Sequence, residues 1–344
     1  MNHLNPPDAP GAGARRAGAP ARQGRQIVLV ATLALRCAID AGAQPASTSA
    51  PSPQPPVTAQ LRVMRTYHEN FLQAPEGRPQ QDVWATRAEL RLEERVGKAR
   101  RVKGQARLEL VHFEPYGFSP AVAATLGRDT RRYAIEGGAY FQWNRPRVDE
   151  TDVPERTDAF GVTGRASLRP IPTLDVFGTG GYRREFAVTL VAPLPWSPWE
   201  PVDTEALPDV ENDYTEYGGG LRVPGLGSVF LPEVGYVRTE RRGSRPHEDY
   251  LEDVAYLSVR SSIGRRFTFS GRYRYRERAY TAGDARARNY GRADTRHAAG
   301  GSLDLGLTRH LYVTVSGGVE EGTSTQPGRA FKSRVLESGL SVRF

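Results

Sequence analysis

The stretch Phe267 to Tyr280, FTFSGRYRYRERAY, alternates two kinds of residue with a period of two. Phe267, Phe269, Gly271, Tyr273 and Tyr275 fall on one parity, and Thr268, Ser270, Arg272, Arg274, Arg276 and Arg278 on the other. A period of two belongs to a β-strand, so one face of this strand is apolar and aromatic while the opposite face is a stripe of arginine. If the apolar face meets lipid, the stripe faces water. The reverse orientation would place arginines in hydrocarbon at roughly 2 to 4 kcal/mol each near the midplane. A membrane crossing takes about 9 to 11 tilted residues, so a span starting near Arg266 ends near Arg276 and leaves Glu277, on the lipid-side parity, at the rim.

The totals agree with strands of this kind. Of 344 residues only 38% are hydrophobic and glycine is abundant at 36, with a mean hydropathy of -0.53. These values exclude a helical membrane protein, and no apolar run of about 18 residues follows the N-terminal region. The formal charge is +8. Arg15, Arg16, Arg22, Arg25 and Arg36 against Asp8 and Asp40 put +3 of that in residues 1–43, which leaves +5 beyond. The remaining arginines are interleaved with acids along alternating strands, without a recognition helix or an RNA-binding motif, so nucleic acid is not the expected partner. The single cysteine, Cys37, lies in the leader, and the rest of the chain has no thiol chemistry.

Residues 1–26 are rich in Pro, Ala, Gly and Arg. They precede the apolar run Ile27 to Leu35 and the small-residue site Ala41-Gly42-Ala43. This is the pattern of a secretory signal, 1–43, with a long basic leader. Residues 44–57 (QPASTSAPSPQPP and one more) form a Pro/Ser linker that cannot build a core and is too short for a plug domain. The expected barrel occupies 58–344.

Strands then follow one another with hardly a helical period among them. Trp84, Thr86, Ala88, Leu90 and Leu92 alternate with Arg87, Glu89, Arg91 and Glu93, and Val102 to Leu110 alternates with Lys103, Arg107 and Glu109. A hairpin around Gly97 with paired positions summing to 196 would oppose Glu93 to Lys103, Glu89 to Arg107 and Arg87 to Glu109, at about 0.2 to 1 kcal/mol per pair. The longest irregular segment is expected at Glu185 to Asp213. Short turns alternate with longer polar connections, as they do between the two rims of a transmembrane barrel. Thirteen strands are plain, but bacterial barrels have an even number. The short/long alternation breaks between Glu114 and Arg131, where the weak piece Phe118 to Leu126 supplies a missing strand with Gly127 to Thr130 as its turn. The expected fold is all-β, an antiparallel up-and-down transmembrane β-barrel of about 14 strands, with 12 as the alternative if the piece at Ala59 lies outside.

The chain ends LESGLSVRF, with Leu336, Ser338, Leu340, Val342 and Phe344 on one face. A terminal Phe after apolar residues at every second position resembles the C-terminal signature of proteobacterial outer-membrane β-barrel proteins, a porin-like superfamily. The resemblance covers Ala59 to Phe344 as a pattern and has this strand as its specific motif. It implies the outer membrane of a Gram-negative bacterium, contact with outer-membrane lipid, and recognition of Leu340, Val342 and Phe344 by the barrel assembly machinery. It carries over no binding or catalytic residue.

Signals for chemistry are thin. None of His68, His112, His247, His297 and His310 stands in a metal-ligand spacing, no serine occupies a GxSxG elbow, and nothing implies a cofactor. His247-Glu248-Asp249 in an expected external connection is the one cluster that would suit a surface hydrolase, a third reading behind the following two. A barrel of this size lies between the filled eight-stranded type and open porins, with a lumen expected to be lined by Arg87, Glu89, Arg91, Glu93, Lys103, Arg107, Glu109, Arg165, Arg183, Arg272, Arg274 and Arg276. Arginine rings favour anions. The expected function is a non-enzymatic channel for anionic or sugar-like solutes, acidic saccharides being one candidate class. The alternative is a closed structural, assembly or polysaccharide-export-associated barrel.

Overall fold

The computed structural model describes residues 57–71, 82–96, 102–114, 116–148, 154–189, 210–223, 230–263, 266–283, 287 and 289–344. The expected signal segment, nearly all of the linker, and the Pro/Trp-rich APLPWSPWEP lie outside them.

Fourteen antiparallel strands form a closed barrel in which each strand pairs with its sequence neighbours and β1 closes on β14. The strands are β1 (Val57–Glu69), β2 (Val83–Val96), β3 (Val102–Glu114), β4 (Gly117–Asp129), β5 (Tyr133–Val148), β6 (Pro154–Ile171), β7 (Leu174–Thr189), β8 (Val210–Arg222), β9 (Phe230–Gly243), β10 (Tyr250–Ile263), β11 (Phe267–Tyr280), β12 (Ala293–Gly306), β13 (Leu311–Ser324) and β14 (Phe331–Arg343). A short 3-10 turn, Pro246–Glu248, sits between β9 and β10. Closure leaves no unpaired strand edge, which is the condition for backbone to sit in hydrocarbon.

Apolar residues face outward around the wall. Leu126 on β4, Leu168 on β6, Ile263 on β10 and Leu336 on β14 are 65%, 66%, 62% and 63% exposed. An exposed apolar surface running round the molecule far exceeds the few hundred Å² patches that soluble monomers tolerate. Lipid is the solvent that makes it stable, and the wall therefore spans a membrane. Outward aromatic side chains stand near both rims, with the contacts Tyr67–Trp84 at 5.0 Å and Phe141–Trp143 at 4.1 Å between ring centroids at one and exposed Phe230, Phe269 and Phe344 at the other.

β4 is the weak strand that the even-number rule requires, and it runs to Asp129, so the turn is 130–132 rather than Gly127 to Thr130. The alternation broke there because β3 and β4 are joined through 115–116, a two-residue connection on the rim where most others are long. β1 pairs with both β2 and β14, which removes the 12-strand alternative.

Two expectations are corrected. Irregular connections are shorter than expected: β7 continues to Thr189 and β8 begins at Val210, well inside the segment Glu185 to Asp213. Beyond the lipid the outward face need not be apolar, so alternation disappears from the sequence while the hydrogen-bond ladder continues; β6 reaches 18 residues in this way. The β2–β3 register is also different. Glu89 opposes Glu109 and Arg91 opposes Arg107, so paired positions sum to 198 and not 196. Like charges thus stand directly opposite, and the three expected ion pairs form on the diagonals: Lys103 to Glu93 at 3.2 Å, Arg107 to Glu89 at 3.0 Å and Arg87 to Glu109 at 3.9 Å. Diagonal neighbours lie within reach of long side chains.

On the inner face, bulky side chains lie over glycines of the adjoining strand. Tyr140 opposes Gly161, Phe177 opposes Gly220, Tyr256 opposes Gly235, Phe331 opposes Gly322 and Met64 opposes Gly339. A Cβ at Gly161 would stand 2.6 Å from the Tyr140 ring, and one at Gly235 2.5 Å from Tyr256. Each glycine is the space its partner fills.

Candidate functional site

Side chains of strands that are not neighbours can meet only on the concave side, and several do. Arg87 on β2 reaches Glu337 on β14 at 3.9 Å, Arg62 on β1 reaches Asp304 on β12 at 3.3 Å, and Arg165 on β6 reaches Glu233 on β9 at 3.1 Å. These contacts fix the inward parity. They put every expected lining residue on the inner face: Arg87, Glu89, Arg91 and Glu93 on β2, Lys103, Arg107 and Glu109 on β3, Arg165 on β6, Arg183 on β7, and Arg272, Arg274 and Arg276 on β11.

On the inner face of β2–β3, five cations, Arg87, Arg91, Arg95, Lys103 and Arg107, share three carboxylates, Glu89, Glu93 and Glu109, so that each cation has a partner. Glu89, buried beneath the cluster, accepts from Arg91 at 3.1 Å and Arg107 at 3.0 Å, and Arg107 also holds Glu109. Glu93 takes Arg95 at 3.0 Å, Lys103 at 3.2 Å and the Gln105 amide at 2.9 Å.

The β10–β11 wall is different. Arg276 and Arg278 share Glu252, at 3.6 and 2.8 Å. Arg272 lies over the Tyr256 ring at 5.0 Å. Among the described residues, no carboxylate lies within ion-pair distance of Arg260, Arg272 or Arg274, whereas Arg62, Arg87, Arg91, Arg107, Arg165, Arg183 and Arg222 each have one. Alternate residues of a strand stand about 7 Å apart, at which two like charges repel by roughly 0.6 kcal/mol even in bulk water. At Arg272 and Arg274 the stripe therefore holds positive charge with no ion-paired carboxylate among the described residues.

Two cavities open on this stripe. The larger, 890 Å³, lies towards the long-connection rim and is lined by Arg274, Arg276, Arg183, Tyr214, Glu216 and, from the opposite wall, Arg87 and Glu109. The smaller, 510 Å³, lies towards the short-turn rim and includes Arg272, Arg260, Ser258, Ser270 and Glu233. Arg272 and Arg274, two residues apart on one face, thus belong to successive cavities.

At the outer end the wall is rigid. Arg183 stacks on Tyr214 at 4.0 Å, Arg278 on Tyr250 at 3.9 Å and Arg292 on Tyr280 at 4.4 Å, so guanidinium planes cover the tyrosine faces. The His247-Glu248-Asp249 triplet is built into this rim. Glu248 is 1% exposed and accepts from Arg241 at 2.8 Å and Arg245 at 3.3 Å. Asp249 receives the Gly243 N–H at 2.7 Å, while burial pushes its carboxyl above the ordinary value. Asn289, from the β11–β12 connection, ties to the His247 carbonyl at 3.2 Å.

Glu233, Glu252, Glu337 and Arg260 are inner-face charges that the sequence analysis did not name. The parity of their own strands carries the signal: Arg260 shares it with Tyr256 and Ser258, and Glu233 with Val237. Leu340, Val342 and Phe344 face outward on β14, and the Phe344 backbone pairs with Ala59 on β1, N–H to carbonyl at 2.8 and 3.3 Å.

No protein-family model matches the chain, and no curated protein sequence matches it. Among solved structures the chain is similar to the outer-membrane expressed OmpT of Vibrio cholerae (13% identity, 84% of this chain and 97% of that one, TM-score 0.45). It is also similar to an anion-selective porin from Comamonas acidovorans (10%, 84% and 99%, 0.42) and to the CymD monoaromatic hydrocarbon channel (11%, 85% and 89%, 0.46). The closed antiparallel wall, its apolar exterior and its charged interior give the chain the fold of a bacterial outer-membrane β-barrel, and the likeness to these structures concerns that fold alone.

Proposed function

We propose that the protein is a passive outer-membrane channel that prefers anionic solutes. The observation that carries this reading is the stripe Arg272, Arg274 and Arg276, whose first two members have no carboxylate partner among the described residues and line successive lumenal cavities. Fixed positive charge in a narrow aqueous path raises the local concentration of anions. Acidic saccharides are one solute class that fits an open, polar and arginine-lined bay, because they offer carboxylates and hydroxyls together. The tyrosine faces at the outer end are occupied by guanidinium groups, so recognition there relies on charge and hydrogen bonding rather than on sugar stacking.

The test is a planar bilayer with a salt gradient. Wild type should conduct with a reversal potential on the anion side, and Arg272→Ser/Arg274→Ser/Arg276→Ser should move it towards zero, more at low salt than at high salt because the Debye length shrinks from about 10 Å at 0.1 M to about 3 Å at 1 M. Unchanged reversal potentials in two conducting proteins would remove the arginines from the mechanism.

A closed structural barrel is the second reading, favoured by the contacts that cross intervening strands inside, Arg62 to Asp304 and Arg165 to Glu233. Absence of any conductance in correctly folded protein would select it. The clamping of Glu248 between Arg241 and Arg245 supports a structural role for the loop triplet rather than catalysis.

A further inference from the structure

We propose that the smaller cavity, against β10, β11 and β12, is a subsite for a phosphate-type oxyanion. The inference rests on the channel reading and gives that channel a defined solute chemistry at its narrower, short-turn half.

On the inner face of β10 and β11 the cavity wall alternates cations and hydroxyls, while Leu231 and Val259 also border it. Arg260 on β10 opposes Ser270 on β11, and Arg272 on β11 opposes Ser258 on β10, so each guanidinium has a hydroxyl beside it and the other guanidinium on its diagonal. Ser270 is hydrogen-bonded to Ser302 on β12 at 2.7 Å, and whichever hydroxyl donates within the pair, the other keeps its proton to offer. Arg272 faces Gly300, a position without a side chain, on its other side, and its guanidinium lies over the Tyr256 ring at 5.0 Å. All of these positions border the same 510 Å³ space.

Among the described residues, no carboxylate lies within ion-pair distance of either arginine. The one carboxylate bordering the cavity, among the described residues, is Glu233. It is already engaged by Arg165 at 3.1 Å, Arg222 at 2.6 Å and the Tyr256 hydroxyl at 2.9 Å. Glu233 therefore leaves the two cations uncompensated while absorbing the charge of its own partners. Two diagonal guanidiniums with hydroxyl donors between them converge from three strands. A tetrahedral oxyanion, whose oxygens point in several directions, can accept from all of them, whereas a carboxylate presents two oxygens along one edge.

Two measurements on the full chain test this. Equilibrium dialysis of the detergent-folded barrel against radiolabelled inorganic phosphate reads the site without current, and block of chloride conductance by added phosphate reads it in the channel. Saturable binding and block are expected, weakened at least about tenfold in Arg260→Ser/Arg272→Ser because each lost charge-assisted bond contributes about a factor of ten or more. Arg260→Lys/Arg272→Lys, which keeps the charge but loses the fork, should bind with intermediate affinity. Lys332→Ser, outside the lumen, should bind as wild type does. A barrel that conducts chloride anion-selectively yet binds no phosphate overturns the subsite and leaves the channel reading intact. A barrel that binds phosphate without conducting does the reverse. Equal competition by acetate at matched concentration would overturn the oxyanion assignment in favour of a general anion surface, and a failure of the double serine variant to weaken binding would overturn its location.

Discussion

The β2–β3 wall and the β10–β11 wall both present arginines inward, and they differ in how many carboxylates stand beside them. On β2–β3 each described arginine has a carboxylate within reach, Arg87 and Arg107 on the diagonal and Arg91 and Arg95 two residues along their own strand, and Glu89 is buried beneath the cluster. On β10–β11, Glu252 is shared by Arg276 and Arg278, and among the described residues Arg260, Arg272 and Arg274 have no ion-paired carboxylate. The difference teaches that charge in a lumen has two uses. Paired, it is a packing material that holds side chains together in a wet interior; unpaired, it is available to whatever passes.

That comparison can be broken most forcefully at Glu89. Its replacement by Ala leaves Arg91 and Arg107 without their shared buried acceptor and should cost about 1 to 3 kcal/mol, read as a lower urea midpoint for loss of the folded, heat-modifiable form in micelles. Arg274→Ser, by contrast, removes repulsion and no bond. If both variants lose the same stability, the two walls do not differ in the way described.

Selectivity should show the next largest effect, in the other direction. Arg272→Ser/Arg274→Ser should lower the anion-to-cation permeability ratio severalfold at low ionic strength, while Arg91→Ser/Lys103→Ser on the paired wall should change it by less than about half as much, since a compensated charge adds little to the far field. Reversal potentials compare the two double variants directly. A smaller shift sharpens the point: Glu109→Gln frees part of the charge of Arg87 and Arg107, and should raise anion preference by about twofold or less if pairing is what silences that wall. The smallest effect expected is on stability in Arg274→Ser itself, a change within about 0.5 kcal/mol of wild type, checked in the same urea series.

A separate expectation concerns assembly. Deletion of Phe344 removes the backbone pair with Ala59 at the closing seam and should lower the yield of folded barrel in the outer membrane, with the inserted molecules otherwise normal. Surface labelling and heat-modifiable migration measure the two quantities; undiminished yield would count against a role for the terminal strand.

The architecture was legible in the sequence because lipid imposes a strict rule on one parity. Tyr273 and Tyr275 against Arg272, Arg274 and Arg276 can be oriented from transfer cost alone, and the same logic places Trp84 and Leu92 outside and Glu89 inside. Where lipid ends, the rule ends with it. The outer extensions of β6, β7 and β8 were hidden because Asn212, Asp213 and Tyr214 show no polar/apolar alternation although they stand in a regular ladder. Register was less legible again. Opposite charge can be satisfied straight across or on the diagonal, so the pairing preferences of Glu93, Lys103 and Arg107 are met by registers that sum to 196 or 198, and charge alone does not choose between them. Which arginines lack partners was beyond reach for a related reason: Arg62, Arg87 and Arg165 find their carboxylates across intervening strands, through a curvature that no local pattern records.

The glycines beneath Tyr140, Phe177, Tyr256, Phe331 and Met64 have a consequence for the calibre of the tube. The radius of a closed barrel depends on strand number and on shear, the total stagger accumulated on going once round the wall. Sliding one seam by two residues would preserve every inside and outside face, yet it would change the stagger and hence the bore. Hydrophobic patterning cannot detect such a slip; a ring seated in a glycine notch can, because the slip drives it against a neighbouring side chain. β14 is notched on both edges, Phe331 into Gly322 of β13 and Gly339 under Met64 of β1. The strand that completes the circle is thereby gauged on both sides, and the width of the passage is set by the fit of a few side chains at the place where the cylinder shuts.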